Sequence, residues 1–253
     1  MKIIPAHLLR PTVLAFISTL ELITSAPCDP SSWIPLFSFA RDHLRDPPNR
    51  SSAATAYATP RNLEQRVTSC LNAGDSKGAA RAISPTSSMA PVNKETFQKL
   101  LKLHPTTFPA VSPSALHRHP PENFTITDSS ITIAVVVSLR SPSGSGPDGL
   151  RGSHLKAFKQ YCLSDTSELN LHNRLVNGLT QLCNLLFDGS LPEPLHQIFS
   201  CATLIALNKP GGSVRPVAIG LIIRRLASKI AANHVRKSHP DLLLPQQFPT
   251  FLY

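Results

Sequence analysis

Proline placement sets the first limit on what this chain can fold into. The sequence holds 24 prolines, roughly twice the usual share, and many of them sit in Ser/Thr-rich stretches. Proline lacks an N–H and fixes φ, so it ends helices and stays out of central strands. The chain is thereby cut into short segments joined by long irregular connections. The densest connection runs from His104 to Glu122 and carries Pro105, Pro109, Pro113, Pro120 and Pro121. At 253 residues, 42% of them hydrophobic, there is material for one large or two small domains.

Between the prolines, apolar spacing predicts helices. Ala15 to Thr24 can form one, and Trp33 to Arg45 another, with Trp33, Leu36, Phe37, Ala40 and Leu44 in register and Asp46-Pro47-Pro48 stopping it. Ser51 to Pro60 reads as a polar linker. Asn62 to Leu71 and Ser76 to Ile83 are short helix candidates, and Asn93 to Leu103 is a stronger one. Leu150 to Tyr161 reads as helix. Leu171, Leu175, Leu179, Leu182 and Leu186 trace one face of a long helix that Gly189 ends. Pro192 to Phe199 follows as a short helix with Pro near its first position. Thr127 to Arg140 is ambiguous: Thr127 or Asp128 can cap a helix, while Ile131, Ile133 and Val135 to Val137 favour a strand by propensity.

Two short apolar runs, Ala202 to Leu207 and Val214 to Ile219, flank Asn208-Lys209-Pro210-Gly211-Gly212-Ser213. This pattern predicts a β-hairpin with a glycine turn. Pro216 assigns its strand to an edge or a bulge. Leu221 to Lys237 then reads as a two-faced helix, with Ile223, Leu226, Ala227 and Ile230 on the apolar side.

The net charge is +10, which favours polyanions. Its distribution is more telling. Between Pro194 and Pro240 lie Lys209, Arg215, Arg224, Arg225, Lys229, Arg236 and Lys237, and no Asp or Glu interrupts them. Lys209 and Arg215 bracket the predicted turn on opposite strands. There Arg offers a planar fork for phosphate oxygens and Lys a point charge. The bland alternative is a hairpin with two solvated charges.

Other chemistry finds little footing. No nucleophile–base–orienter pattern, nucleotide-binding loop or H-E-x-x-H occurs, and no two Asp residues are adjacent, so the usual tandem carboxylates of a two-metal site are missing. His117 and His119 flank Arg118 in a Pro-rich loop and read as surface. Cys28, Cys70, Cys162, Cys183 and Cys201 are far apart with no C-x-x-C pair, a pattern that fits a reducing compartment, with Cys183 a small core residue. Val13 to Ala26 is mostly apolar behind Lys2 and Arg10, as in a signal peptide. Pro11 and Glu21 interrupt that pattern, and Pro27 follows the plausible cleavage site. No uninterrupted apolar run approaches the ~18 residues of a membrane span, so no membrane partner is expected. A secreted basic protein, resting on this N-terminus and the sequons at Asn49 and Asn123, is the remaining rival of that kind.

Several segments resemble, in order and spacing, the fingers region of reverse transcriptases from non-LTR retrotransposons. They are Gly146-Pro147-Asp148-Gly149-Leu150, Leu204 to Lys209, Gly212-x-Val214 to Gly220, and Arg224-Arg225-Leu226. Trp33 to Leu36, Phe39-Ala40, Leu44 to Pro48, Gly78 to Arg81 and Leu103-His104-Pro105 are similar to that family's N-terminal extension. The resemblance implies an α+β, predominantly helical chain. Residues 1–125 would be a loosely packed helical extension with Pro/Ser-rich linkers, 126–247 an incomplete fingers unit around one hairpin (about 202–219), and 248–253 a divergent tail. It implies that Thr127 to Arg140 is a helix and that the N-terminal apolar stretch is a domain helix. It places Arg215 where the family contacts the triphosphate of an incoming nucleotide, and Lys209 at a basic position ending the first hairpin strand.

In the family, the segment matching Pro245-Gln246-Gln247 leads on to the palm and its metal-binding aspartates. Here Phe248 to Tyr253 follows instead. The resemblance thus implies a polymerase fragment without the catalytic palm, inactive by itself, with exposed apolar surface and marginal stability. It implies no cofactor in this chain, since Mg²⁺ serves the complete enzyme, and RNA or DNA as partner, with a separately made palm as a further possible one. The alternative is a stand-alone basic module that binds nucleic acid through the hairpin and the 221–237 helix. The candidate binding residues are Lys209, Arg215, Arg224, Arg225, Lys229 and Arg236.

Overall fold

The computed structural model describes residues 4–44, 89–103, 124–139, 144–164, 170–209 and 211–238, with isolated positions between 64 and 79. The extents of the helix candidates at Asn62 to Leu71 and Ser76 to Ile83, the loop with His117 and His119, and the tail Phe248 to Tyr253 lie outside the described residues. The described residues are mostly helical, with one two-stranded sheet among them.

In chain order the elements are α1 (Ala6–Ser25), α2 (Pro30–His43), α3 (Lys94–Leu103), α4 (Ser129–Ser138), α5 (Gly152–Ser164) and α6 (Leu171–Phe187). A 3₁₀ turn (Glu193–Leu195) leads into α7 (His196–Ser200), followed by β1 (Ala202–Asn208), β2 (Val214–Gly220) and α8 (Ile222–Ser238). Two compact units result. One comprises Met1–Arg45, Ser112–Thr203 and Ile219–Tyr253; the other comprises Asp46–Val111 and Leu204–Ala218.

In the larger unit the N-terminal helices lie at the centre of the core. Val13, Phe16, Ile17, Leu20 and Ile23 of α1 are fully buried, as are Trp33 of α2, Phe158 of α5 and Leu182 of α6. The Phe16 ring lies 5.1 Å from Phe39 and 5.0 Å from Phe158, within the range of favourable aromatic pairs. Gly178 of α6 lets α1 approach closely: a Cβ there would meet Leu20 Cβ at 2.9 Å. At the rim, Arg174 grips Glu21 through two bonds of 2.7 and 2.9 Å. By length and composition α1 could cross a membrane. The burial of its apolar face accounts for that composition by packing.

The helix boundaries have local causes. α1 begins nine residues before the periodicity predicted, because Pro11 falls in its second turn, where the missing N–H removes one bond and the helix continues through it. α2 starts at Pro30 after Asp29, whose side chain accepts the Ser31 N–H at 2.9 Å. Its buried indole donates to the Pro27 carbonyl at 2.9 Å. α4 is a helix despite its β-branched run. Asp128 caps it by accepting the Ser130 N–H at 2.8 Å, and Thr132, Val135 and Val136 are buried on one side. Thr180 of α6 donates to the Thr132 hydroxyl at 2.9 Å. Packing and capping together outweigh β propensity, which carries only ~1 kcal/mol across its whole scale. Asn184 of α6 ties the entry to α4 by bonding both the N–H and the carbonyl of Ile126, at 2.8 and 3.1 Å.

The smaller unit joins α3 to the outer hairpin. Ala90 donates its N–H to the Ala206 carbonyl at 2.9 Å, and Met89 bridges Leu207 in antiparallel fashion. Ala90, Ala206 and Val214 form a small buried cluster with Leu100 of α3 against it. Asn93 caps α3 by accepting the Thr96 N–H at 2.8 Å. Val92, Phe97 and Leu103 are exposed.

Truncation of the central aromatic tests the position of α1. Phe16→Ala should lower stability by about 3–5 kcal/mol, as for other fully buried Phe residues, measured by urea unfolding. A loss below about 1 kcal/mol would mean that α1 does not hold the core.

Candidate nucleic-acid interface

The six cations singled out by sequence divide between the two compact units. Lys209 and Arg215 belong to the smaller unit, and Arg224, Arg225, Lys229 and Arg236 to the larger one.

In the smaller unit, the Lys209 N–H bonds the Ser213 carbonyl at 2.9 Å. That bond closes a loop containing Gly211 and Gly212, at φ +82° and +74°. These are left-handed conformations that glycine adopts without a side-chain clash. Strand side chains alternate between faces. Val214 and Ala206 turn toward Leu100, so Arg215 and, by the Lys209–Ser213 pairing, Lys209 share the opposite face. Both are exposed. Between residues 89–103 and 204–218 the carboxylate is Glu95, and it pairs with Lys99 at 2.8 Å. The face with Lys209 and Arg215 therefore carries cations that meet no carboxylate from these segments.

In the larger unit, three of the four cations hold backbone carbonyls. Arg224 donates to Ser200 at 2.7 Å and to Phe199 at 3.4 Å, at the end of α7. Lys229 donates to Ser138, the last residue of α4, at 3.1 Å. Cations are well placed at helix C-termini, where carbonyls lack partners and the dipole is negative. Arg225 donates to Gly144 at 3.2 Å, ahead of the Gly146 turn. Arg236 is exposed in the last turn of α8, beside Lys237.

The Gly-Pro-Asp-Gly turn is locked against α8's entry. The Gly149 N–H bonds the Gly146 carbonyl at 3.1 Å, and Gly149 has φ +75°. A Cβ on Gly146 would lie 2.7 Å from the Gly220 carbonyl oxygen, and one on Gly149 would lie 3.0 Å from Ala40 Cβ. Backbone thus meets backbone at Gly146, and the turn rests on α2 at Gly149. Asp148 is largely enclosed there, and its Oδ1 is an unpartnered buried atom. Burial raises its pKa to about 6, against the opposing pull of the Leu150 and Asp148 N–H groups and of Arg225. Sequence reading missed this residue, although an acid fixed between glycines at a close backbone approach was the available signal.

Cys162 and Cys183 are buried, and burial pushes the Cys183 thiol up to about 12. Among the described residues no cluster of three His, Cys, Asp or Glu side chains could hold a metal ion. No protein-family model and no curated protein matches the chain.

The raised Asp148 pKa has a definite consequence. Unfolded, the group ionises near its ordinary 3.8; folded, near 6. The native state therefore holds the proton more tightly, and this contribution to stability is full below about pH 4 and lost as pH rises to about 6. Asp148→Asn keeps an acceptor and removes the charge. It should stabilise the protein at pH above about 7, by about 1–3 kcal/mol, and flatten the stability profile between about pH 4 and 6. An unchanged profile in thermal melts across this window would show that the carboxylate is not strained.

Proposed function

We propose that this chain is a fingers-side region of a reverse-transcriptase-like protein and that it binds RNA or DNA phosphates with the exposed cations of its hairpin. The observation that carries the reading is the meeting of separate resembling segments in one place. Phe39-Ala40, the Gly146 to Leu150 turn and Gly220 with Arg224 are far apart in sequence. They close on one another through Gly149 against Ala40 and Gly146 against Gly220. Glycine is needed at Gly146 for that contact, which gives the Gly-Pro-Asp-Gly pattern a physical reason. The charge distribution supplies the second support. Lys209 and Arg215 sit on one sheet face and are exposed, ready for an anionic strand.

On this reading the chain supplies binding, not bond formation. These 253 residues contain no adjacent aspartates, and Mg²⁺ would be held by the palm of a complete enzyme. The reading of a stand-alone basic module draws on one further observation, the exposed Arg236 and Lys237 at the end of α8. Arg224, Arg225 and Lys229 serve it less well, because their donors are directed at carbonyls.

Binding of a labelled single-stranded oligonucleotide, followed by anisotropy over a series of KCl concentrations, tests the reading. The double change Lys209→Ala and Arg215→Ala should weaken binding and flatten the slope of log K against log salt by about 0.7–0.9 per lost phosphate contact. Arg224→Ala should leave that slope in place and lower stability by about 0.5–1.5 kcal/mol. If the hairpin variant binds as the wild type does, and Arg224→Ala flattens the slope, the hairpin is not the interface.

A further inference from the structure

The turn that presents Lys209 and Arg215 is held from behind by a helix distant in sequence. Lys99 of α3 donates from Nζ to the Gly212 carbonyl at 3.2 Å, and its ammonium is steadied by Glu95 one turn earlier at 2.8 Å. Glycines cost the most conformational entropy to order, and nothing lies within 4 Å of the Cβ positions of Gly211 or Gly212. Side-chain packing therefore does not fix this turn. Polar ties hold it, among them the Lys209 N–H to Ser213 bond within the hairpin and Lys99 to Gly212 from outside it.

The two sheet faces have different tasks. One carries Ala206 and Val214 against Ala90 and Leu100. The other carries Lys209 and Arg215. Lys99 reaches the turn from α3, which packs on the first face, so its charge is committed to a backbone carbonyl on the braced side.

We infer that Lys99 is a positioning residue for phosphate binding: it anchors the Gly212 carbonyl and so sets the direction in which Lys209 and Arg215 meet a strand, without touching the strand itself. The inference rests on the hairpin reading given above and adds a residue outside the segments that carry the fingers resemblance. It distinguishes two roles that a lysine beside a nucleic-acid surface can have. A lysine on phosphate releases a counterion and contributes to the salt slope. A lysine on a carbonyl alters affinity through geometry and leaves the slope alone.

The test uses the full chain and a fluorescein-labelled single-stranded RNA of mixed sequence at several KCl concentrations. Lys99→Gln should weaken binding about two- to fivefold, the span expected for one exposed charged tie, with the salt slope unchanged. Lys99→Arg should restore affinity. In the free protein, Lys99→Gln should speed hydrogen exchange of the Lys209 amide by a similar factor and leave the Leu179 amide in the core as in the wild type. A slope flattened by about 0.7–0.9 would place Lys99 on a phosphate and overturn the inference, as would an unchanged Lys209 exchange rate. A wild-type chain that binds no RNA sinks the functional reading and this inference with it. Wild-type binding with unaltered Lys99→Gln affinity sinks this inference alone.

Discussion

The apolar face of α1 is the constraint on which the larger unit depends. Phe16, Ile17 and Leu20 have no water-exposed surface. They are covered by α2, whose neighbour in sequence brings it close, and by α5 and α6, which come from much later in the chain. Phe16 sits between the rings of Phe39 and Phe158. Once α2 is placed, Ala40 gives the Gly146 turn a surface to rest on, and the turn in turn meets Gly220. The chain entering α8 is fixed at both ends of this series of contacts. An N-terminal segment that looks like an appendage in sequence is thus the support for the glycine turn and the start of α8.

The cations divide by what their donors face. Arg224, Arg225 and Lys229 spend donors on the carbonyls of Ser200, Gly144 and Ser138. Those carbonyls lie at the end of α7, ahead of the Gly146 turn and at the end of α4. At the ends of α7 and α4 the carbonyls lack helical partners and a cation is also favoured by the dipole; the Gly144 carbonyl is a loop acceptor. Phosphate oxygens and backbone carbonyls are both acceptors, so the residue types that bind nucleic acid are also those that finish helices. Lys209 and Arg215 stand apart because alternation along the hairpin turns them from the packed face.

The regular elements were legible in the sequence. The leucine stripe from Leu171 to Leu186 gave α6, and the glycine turn between two apolar runs gave the hairpin. The helix expected over Asn93 to Leu103 is α3. Two features went against local signals. The Ile131 to Val137 stretch reads as strand by propensity, while a possible cap at Thr127 or Asp128 and the resemblance pointed to helix; the Asp128 cap is local, and the burial against α6 that joins it is tertiary. The true start of α1 was hidden because Pro11 sits early enough in the helix to be tolerated. Of the candidate site, sequence located the charges and could not assign their partners. A run of Arg and Lys records sign and spacing, whereas the carbonyls they meet lie 24 to 91 residues away in sequence. Lys99 was invisible as a contributor for the same reason, since Gly212 is 113 residues downstream of it.

We propose that an anionic strand is held on the hairpin face bearing Lys209 and Arg215. The most direct measurement is residue-resolved NMR of the isotope-labelled chain during titration with a single-stranded RNA. Amide and side-chain shifts should concentrate at Lys209, Ser213 and Arg215, with Arg224, Arg225 and Lys229 unmoved. Shifts confined to α8, or none at RNA concentrations that saturate ordinary phosphate-binding domains, would contradict it.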